Sequence, residues 1–368
     1  MSKIVNYQIS KLDIPLKRPL VTSSRSSKNL KGILFKIELD DGSIGLGESA
    51  ENIKLTGENR EEMSRFARDF FEEHLQENVD DVLLMLQGFV NHNAARSGME
   101  TAILDAVSRA NETEIVEEFG IPVHTRTLEN DTTISLMDPE QTVAETMRVL
   151  DEGYKHIKYK LNDQPGELER ILQLEEIMPD DTLIRIDPEQ SWNYQQTIEA
   201  MQEFDNSHLK IEFIEQPVPI LLHDEMKQLT TKATIPIIAD ESVFNLQDAK
   251  DVIEHGYGTA INIKLIKCGG PLEAIEIANY AKRKNVDCLF GCTTEANVAL
   301  TTAAYLSAGL SNVKYIDLDG LDYLADTPFN GGVTNHDGLI ELPEQTNGLG
   351  IELVESKLDQ YVTDFVTE

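Results

Sequence analysis

Positive charge is scarce in this chain. Lys and Arg number 32 against 65 Asp and Glu among 368 residues, a formal charge of −33. That balance argues against nucleic acid or an anionic membrane as a partner, since both would be repelled. Cysteine is scarce too. Cys268, Cys288 and Cys292 are an odd number without a paired framework, which points to a reducing compartment. No apolar run reaches the length of a membrane span, and the opening M-S-K-I-V-N-Y-Q-I-S lacks the continuous apolar core of a leader. Low-complexity tracts are missing, as are internal repeats beyond a strand–helix alternation. A cytoplasmic protein is the expectation.

What the chain does have is a charge at the end of one short β-branched run after another. H-I-K-Y-K carries Lys158 and Lys160, L-I-R-I-D ends at Asp187, I-E-F-I-E at Glu215, I-P-I-I-A-D at Asp240, I-N-I-K at Lys264 and Y-I-D-L-D at Asp317 and Asp319. From Lys160 to Lys264 these ends recur roughly every 25 residues, the length of a strand–loop–helix–loop unit. That rhythm predicts a TIM-like barrel with its site on the rim where the strands end. T-I-S-L (133–136) is read as its first strand, C-L-F-G-C (288–292) as the seventh and Y-I-D-L-D as the eighth.

Residues 3–48 are β-rich, with a hairpin turning at Asp41-Gly42, and V-T-S-S-R-S-S-K-N reads as a mobile loop. Helical periodicity follows over 60–77 and 95–110. Strands followed by helices without βαβ alternation predict a separate α+β domain over residues 1–125, a barrel over 126–320, and a segment 321–368 that returns to the first domain.

Alternation along the strands places His156, Lys158 and Lys160 on one face, Asn262 and Lys264 on one face, and Asp317 with Asp319. Asp187, Glu215 and Asp240 come from consecutive strands. Three carboxylates without His or Cys favour a hard divalent cation, Mg²⁺ or alternatively Mn²⁺. The lysines read as acid/base groups: neighbouring positive charge lowers an ammonium's pKa, and Lys160 and Lys264 would face a bound carboxylate from opposite sides. One removes an α-proton, the other returns one, and the metal stabilises the enediolate between. Lys267 is assigned to the following loop, and His156 to a hydrogen-bonded core position.

These segments resemble the enolase superfamily, within its muconate-lactonizing subgroup, and most closely the dipeptide epimerases. The resemblance rests on K-Y-K (158–160), I-R-I-D-P-E-Q-S-W (184–192), I-E-Q-P (214–217), A-D-E-S (239–242), I-N-I-K-L-I-K-C-G-G (261–270) and D-L-D-G (317–320). L-T-G-E (55–58), E-T-A-I-L-D-A (100–106) and G-L-G-I-E (348–352) extend it. It implies an α/β fold, a modified (β/α)7β TIM barrel under an α+β capping domain built from the N-terminal region and the C-terminal segment. It implies Asp187, Glu215 and Asp240 as Mg²⁺ ligands, Lys160 and Lys264 as the acid/base pair, and Lys158 as a holder of the substrate carboxylate. Asp317 and Asp319 would receive the free α-ammonium of a dipeptide, and Arg25 an acidic side chain on its second residue. Ser135, with Thr133, would face the cavity, and Glu295 matches an acid of the family at the end of strand seven. Assembly into a homo-oligomer is implied by the same analogy.

Two positions depart from the family's pattern. Glu189 stands where D-x-N is usual, bringing a fourth carboxylate beside the metal or a partner for a lysine, and Ala296 follows Glu295 where serine is common. Neither is expected to touch the lysine pair. The leading expectation is an isomerase, epimerising dipeptides at the C-terminal residue with L-Ala-D/L-Glu as default. N-acylamino acid racemase, o-succinylbenzoate synthase, muconate cycloisomerase and a catalytically inactive ligand-binding barrel remain the alternatives.

Overall fold

The computed structural model describes residues 2–23 and 26–365. Near the N-terminus, β1 (Ile4–Val21), β2 (Ser26–Leu39) and β3 (Ile44–Ala50) form an antiparallel meander. The turn between β2 and β3 is set by Asp41, whose Oδ1 accepts from Ser43 N at 2.8 Å, and by Gly42 at φ +89°. The last described strand, Val362–Asp364, lies antiparallel on β1 and pairs Asp364 with Ser10. Helices Arg60–His74, Val79–Gln87 and Asn93–Ala110 cover one face of this sheet. The first ends three residues before the expected 77, because Gln76 takes a left-handed φ of +70°.

Helix Asn93–Ala110 approaches β3 unusually closely because both faces are small. A Cβ placed on Gly47 would lie 1.8 Å from Gly98 O, so only glycine fits there. The same helix carries Glu100 to the barrel, and Asp105 to β3 and the C-terminal segment. Glu100 Oε1 accepts from Leu272 N at 2.7 Å, the start of helix Pro271–Arg283. Asp105 accepts from Leu46 N at 2.9 Å and from Leu349 N at 2.7 Å. From β3, Glu48 caps helix Asn297–Gly309 by accepting from Ala296 N at 2.6 Å and Ala299 N at 3.3 Å. Carboxylates on helix N-termini thus dock the cap onto the barrel.

After a short β4 (Thr127–Glu129) come eight parallel strands: β5 (Asp131–Ile134), β6 (His156–Lys160), β7 (Leu183–Asp187), β8 (Ile211–Glu215), β9 (Ile237–Ala239), β10 (Ala260–Ile263), β11 (Asp287–Gly291) and β12 (Val313–Asp317). Each pairs with its neighbour in sequence order, and helices separate them, which makes a (β/α)7β barrel. Phe213, Ile238, Ala260, Leu289 and Tyr315 form a core of their own inside it, apart from the larger cluster between strands and helices. Against Phe213, with its guanidinium 5.1 Å from the ring centroid, Arg185 is fully buried, 2.7 Å from Asp131 Oδ2 and from Glu212 Oε2. His156 joins this plug, its Nδ1 3.2 Å from Glu212 Oε2.

Two strand ends differ from the sequence reading. The first barrel strand is 131–134 rather than 133–136, because Leu136 N donates to Val21 O at 3.0 Å and Val21 N donates to Ser135 Oγ at 3.2 Å. The chain there leaves the barrel to hold the end of β1. The last strand stops at Asp317, and Asp319 sits in the turn before helix Gly320–Tyr323. Its Oδ2 accepts from Thr133 N at 2.7 Å, while Asn130 Oδ1 accepts from Leu318 N at 2.9 Å. Side chains thereby stitch the seam between β12 and β5.

Candidate active site

A cavity of about 190 Å³ opens where the barrel strands end, beneath the cap. Lys158, Lys160, Asp187, Asp240, Lys264, Asp317 and Asp319 line it, and Glu215 lies fully buried beneath. Strand alternation explains the first three: residues of even number on β6 and odd number on β7 turn inward. Asp240 and Lys264 stand one residue past β9 and β10, so they project at the rim.

The acids meet around ammonium groups. Lys158 Nζ is 2.6 Å from Glu215 Oε2, 2.7 Å from Asp317 Oδ2 and 2.9 Å from Asp187 Oδ2. Lys160 Nζ is 2.7 Å from Asp187 Oδ2 and 2.9 Å from Glu189 Oε1. Across the mouth, Lys264 Nζ is 2.6 Å from Asp240 Oδ2. Of the two expectations for Glu189, the partner for a lysine is the one found, and the lysine is Lys160, which corrects the reading that the lysine pair is left untouched. Lys267 is corrected as well. It is no loop residue but lies in the short helix Leu265–Cys268, fully buried, with Nζ 2.5 Å from Asp240 Oδ1 and 2.6 Å from Asp240 O.

Charge sorts these groups. Burial alone would raise Asp187, but Lys158 and Lys160 outweigh it and hold its carboxyl below the ordinary value. Asp240 is lowered likewise by Lys264 and Lys267 against burial. Glu215 goes the other way, pushed up to about 7 by burial and by Asp187 and Asp240. Asp319 is pushed to about 7 by burial and Asp317. The lysines were expected to be lowered by a neighbouring cation. Burial does act downward on Lys160 and Lys264, but Asp187 with Glu189, and Asp240 with Glu215, hold them above their ordinary value.

The donor set suits a hard cation. Asp187, Glu215 and Asp240 offer oxygen alone, and all three are buried. Around them, Glu241 Oε2 and Asn262 Oδ1 are buried with no hydrogen-bond partner among the described residues. Burial together with Asp240 and Asp187 pushes Glu241 up to about 8. Carboxyls outnumber ammoniums here, and a divalent ion would relieve that excess. Among the described residues, the three with ligand atoms all within 4.8 Å of one another are Cys292, Asp317 and Asp319, because lysines stand between the strand-end acids.

Other expected residues lie elsewhere. Ser135 does not line the cavity, because its hydroxyl is used on Val21 N. Glu295 does not line it either; it is buried behind the wall, accepting from Thr293 N at 3.3 Å. Thr133 does line it. Arg25 lies outside the described residues. Sequence reasoning missed Lys54, Cys292 and Tyr323, which face the cavity from the cap, from beyond β11 and from helix Gly320–Tyr323. Only the ends of β11 and β12 carried a signal for the last two, and nothing local marked Lys54.

A capped barrel whose rim sets lysines among carboxylates is laid out for acid–base catalysis. Residues 141–357 match the family described as enolase C-terminal domain-like, and residues 5–120 match the mandelate racemase / muconate lactonizing enzyme N-terminal domain. The chain belongs to the enolase superfamily. An L-Ala-D/L-Glu epimerase of Clostridium acetobutylicum is 30% identical over 361 residues, 95% of this chain and 98% of that protein. A substrate-liganded L-Ala-D/L-Glu epimerase structure from Bacillus subtilis has a TM-score of 0.91 at 27% identity, covering 95% of this chain and 98% of that one. A dipeptide epimerase from Enterococcus faecalis V583, complexed with Mg and L-Leu-L-Tyr, has a TM-score of 0.90 at 26% identity, covering 95% and 99%.

Proposed function

We propose that this protein is a Mg²⁺-dependent dipeptide epimerase that inverts the α-carbon of the C-terminal residue. The observation that carries this reading is the presence, in one cavity, of lysines on both sides of the mouth and of the Asp317–Asp319 pair. Zwitterionic dipeptides need both ends met. Asp317 and Asp319 take the α-ammonium through charge-assisted hydrogen bonds, and Lys158 and the cation region take the carboxylate. Asp187, Glu215 and Asp240 would hold Mg²⁺, or Mn²⁺ on the same oxygen ligands, and the ion would supply positive charge opposite the substrate carboxylate. Lys160 and Lys264 then work in turn. One nitrogen takes the α-proton, leaving the C–H electron pair delocalised toward the carboxylate, and the other delivers a proton to the opposite face.

L-Ala-D/L-Glu is the default substrate. Lys54, exposed on the cap and facing the cavity, complements an acidic side chain in the region where Arg25 was expected to act. Other dipeptides fit the same chemistry, as the Leu-Tyr ligand of the Enterococcus relative illustrates. N-acylated amino acids have no ammonium for Asp317 and Asp319, which disfavours the racemase reading.

Incubation with a dipeptide panel in D₂O and Mg²⁺, followed by proton NMR, tests this. Loss of the C-terminal α-proton signal from acidic dipeptides is the expected result. Exchange confined to N-acylamino acids, or absent from every dipeptide, contradicts it.

A further inference from the structure

We propose that Glu189 is a positioning residue that ties the cavity wall supplied by β1 to the ammonium of Lys160. This rests on the reading of Lys160 as an acid/base group. The wall is the end of β1, where Leu20 and Thr22 face the cavity. Its first attachment is Val21, held by Ser135 Oγ and Leu136 N. The second is Ser23, whose N and Oγ donate to Glu189 Oε2 at 2.9 and 2.8 Å. The other oxygen of the same carboxylate accepts from Lys160 Nζ at 2.9 Å. One planar group therefore spans the gap between a strand of the cap and a lysine of the barrel.

Its chemistry is specific. Among the described residues, the partners of the Glu189 carboxylate are donors: an ammonium on one side, an N–H and an O–H on the other. Only an ionised carboxylate accepts on both sides. The asparagine usual in D-x-N has one acceptor and one donor end, so it would leave a donor facing a donor. The backbone supports the placement. Glu189 at φ +47° and Gln190 at φ +65° both occupy the left-handed region, uncommon for side-chain-bearing residues. Hydrogen bonds fix the turn: Glu189 N to Asp187 Oδ1 at 3.0 Å, Gln190 N to Gln216 O at 2.8 Å and Ile220 N to Gln190 Oε1 at 3.1 Å. The turn aims the side chain at Lys160 and Ser23.

The consequence is one-sided. Lys160 is held by Glu189 as well as Asp187 and so keeps its angle to the α-carbon, whereas Lys264 is held by Asp240. Loss of Glu189 should therefore affect proton transfer at the face served by Lys160 and spare the other.

Glu189→Gln and Glu189→Leu test this, with α-deuterium uptake from each pure epimer measured at short times before inversion. Uptake from the epimer served by Lys160 should fall about tenfold or more, the scale of loss for a displaced catalytic group. Uptake from the other epimer should persist. The Mg²⁺ dissociation constant, read by calorimetry, should change less than uptake does, since the three ligand carboxylates remain. The amide of Ser23 should exchange faster in Glu189→Leu. Equal losses from both epimers, Mg²⁺ affinity falling in step with uptake, or wild-type values throughout would overturn the proposal. Should the wild type label no dipeptide at all, the epimerase reading falls instead, and unchanged Ser23 amide exchange in Glu189→Leu would refute the tie independently.

Discussion

Two pairs of buried carboxyl groups in this molecule are treated in opposite ways by their surroundings, although Glu215, Glu241 and Asp319 at the rim are raised as the interface pair is. At the barrel rim, Asp187 and Asp240 lie among lysines that hold them ionised against burial. Between cap and barrel, Glu48 and Glu100 meet helix N-termini. Burial pushes Glu48 up to about 7 and Glu100 to about 8, because backbone N–H groups offset desolvation less than an ammonium does. The rim stores charge for chemistry; the interface spends buried acids on holding two parts together. Exposure does not separate the two sets, since all four side chains are buried. The partner does.

The largest effect that would sharpen this contrast is at the lysines. Lys160→Ala or Lys264→Ala should lower kcat for epimerisation by about 10³-fold, measured by polarimetry, with the fold retained by circular dichroism. Asp317→Ala comes next. It removes one of the two proposed ammonium partners and a contact of Lys158, so kcat/KM for dipeptides should fall on the order of a hundredfold. N-acylamino acids should show no matching selective loss.

At the interface the readout is stability. Glu48 has a folded value above its ordinary 4.5, so its contribution is full below that pH and is lost as pH rises through about 7. Glu48→Gln does not titrate. Urea unfolding of the two proteins should show the wild type losing ground to the variant by on the order of 3 kcal/mol between pH 4.5 and pH 8. A flat difference would break the contrast. Smallest is Ser135→Ala, which removes one hydrogen bond to Val21 and should cost about 1 kcal/mol, with kcat near wild type.

The barrel was legible because its period is local. A strand, a loop and a helix repeat within roughly 25 residues, and inward side chains alternate, so Lys158, Lys160, Asp187 and Glu215 could be placed from spacing. What spacing cannot carry is a contact between distant segments. Ser23 and Glu189 lie 166 residues apart in sequence, and Ser135 and Val21 114 apart. Ser135 and Asp319 were read as extensions of strands; the competing contacts, with Val21 and Thr133, ended those strands early. Lys267 looked like loop because its helix is a single turn, Leu265–Cys268. The resemblance to a family supplied roles, but Glu189 departs from that family's usual pattern, and geometry alone shows what it touches.

The central claim is that Lys160 and Lys264 serve opposite faces of one carbon. Single-lysine variants incubated in D₂O with each pure epimer of a dipeptide substrate test it most directly. The expected result is reciprocal: one variant labels only one epimer without inverting it, and the other variant labels only the opposite epimer. Loss of labelling from both epimers in each variant, or full labelling in either, would contradict the two-sided arrangement.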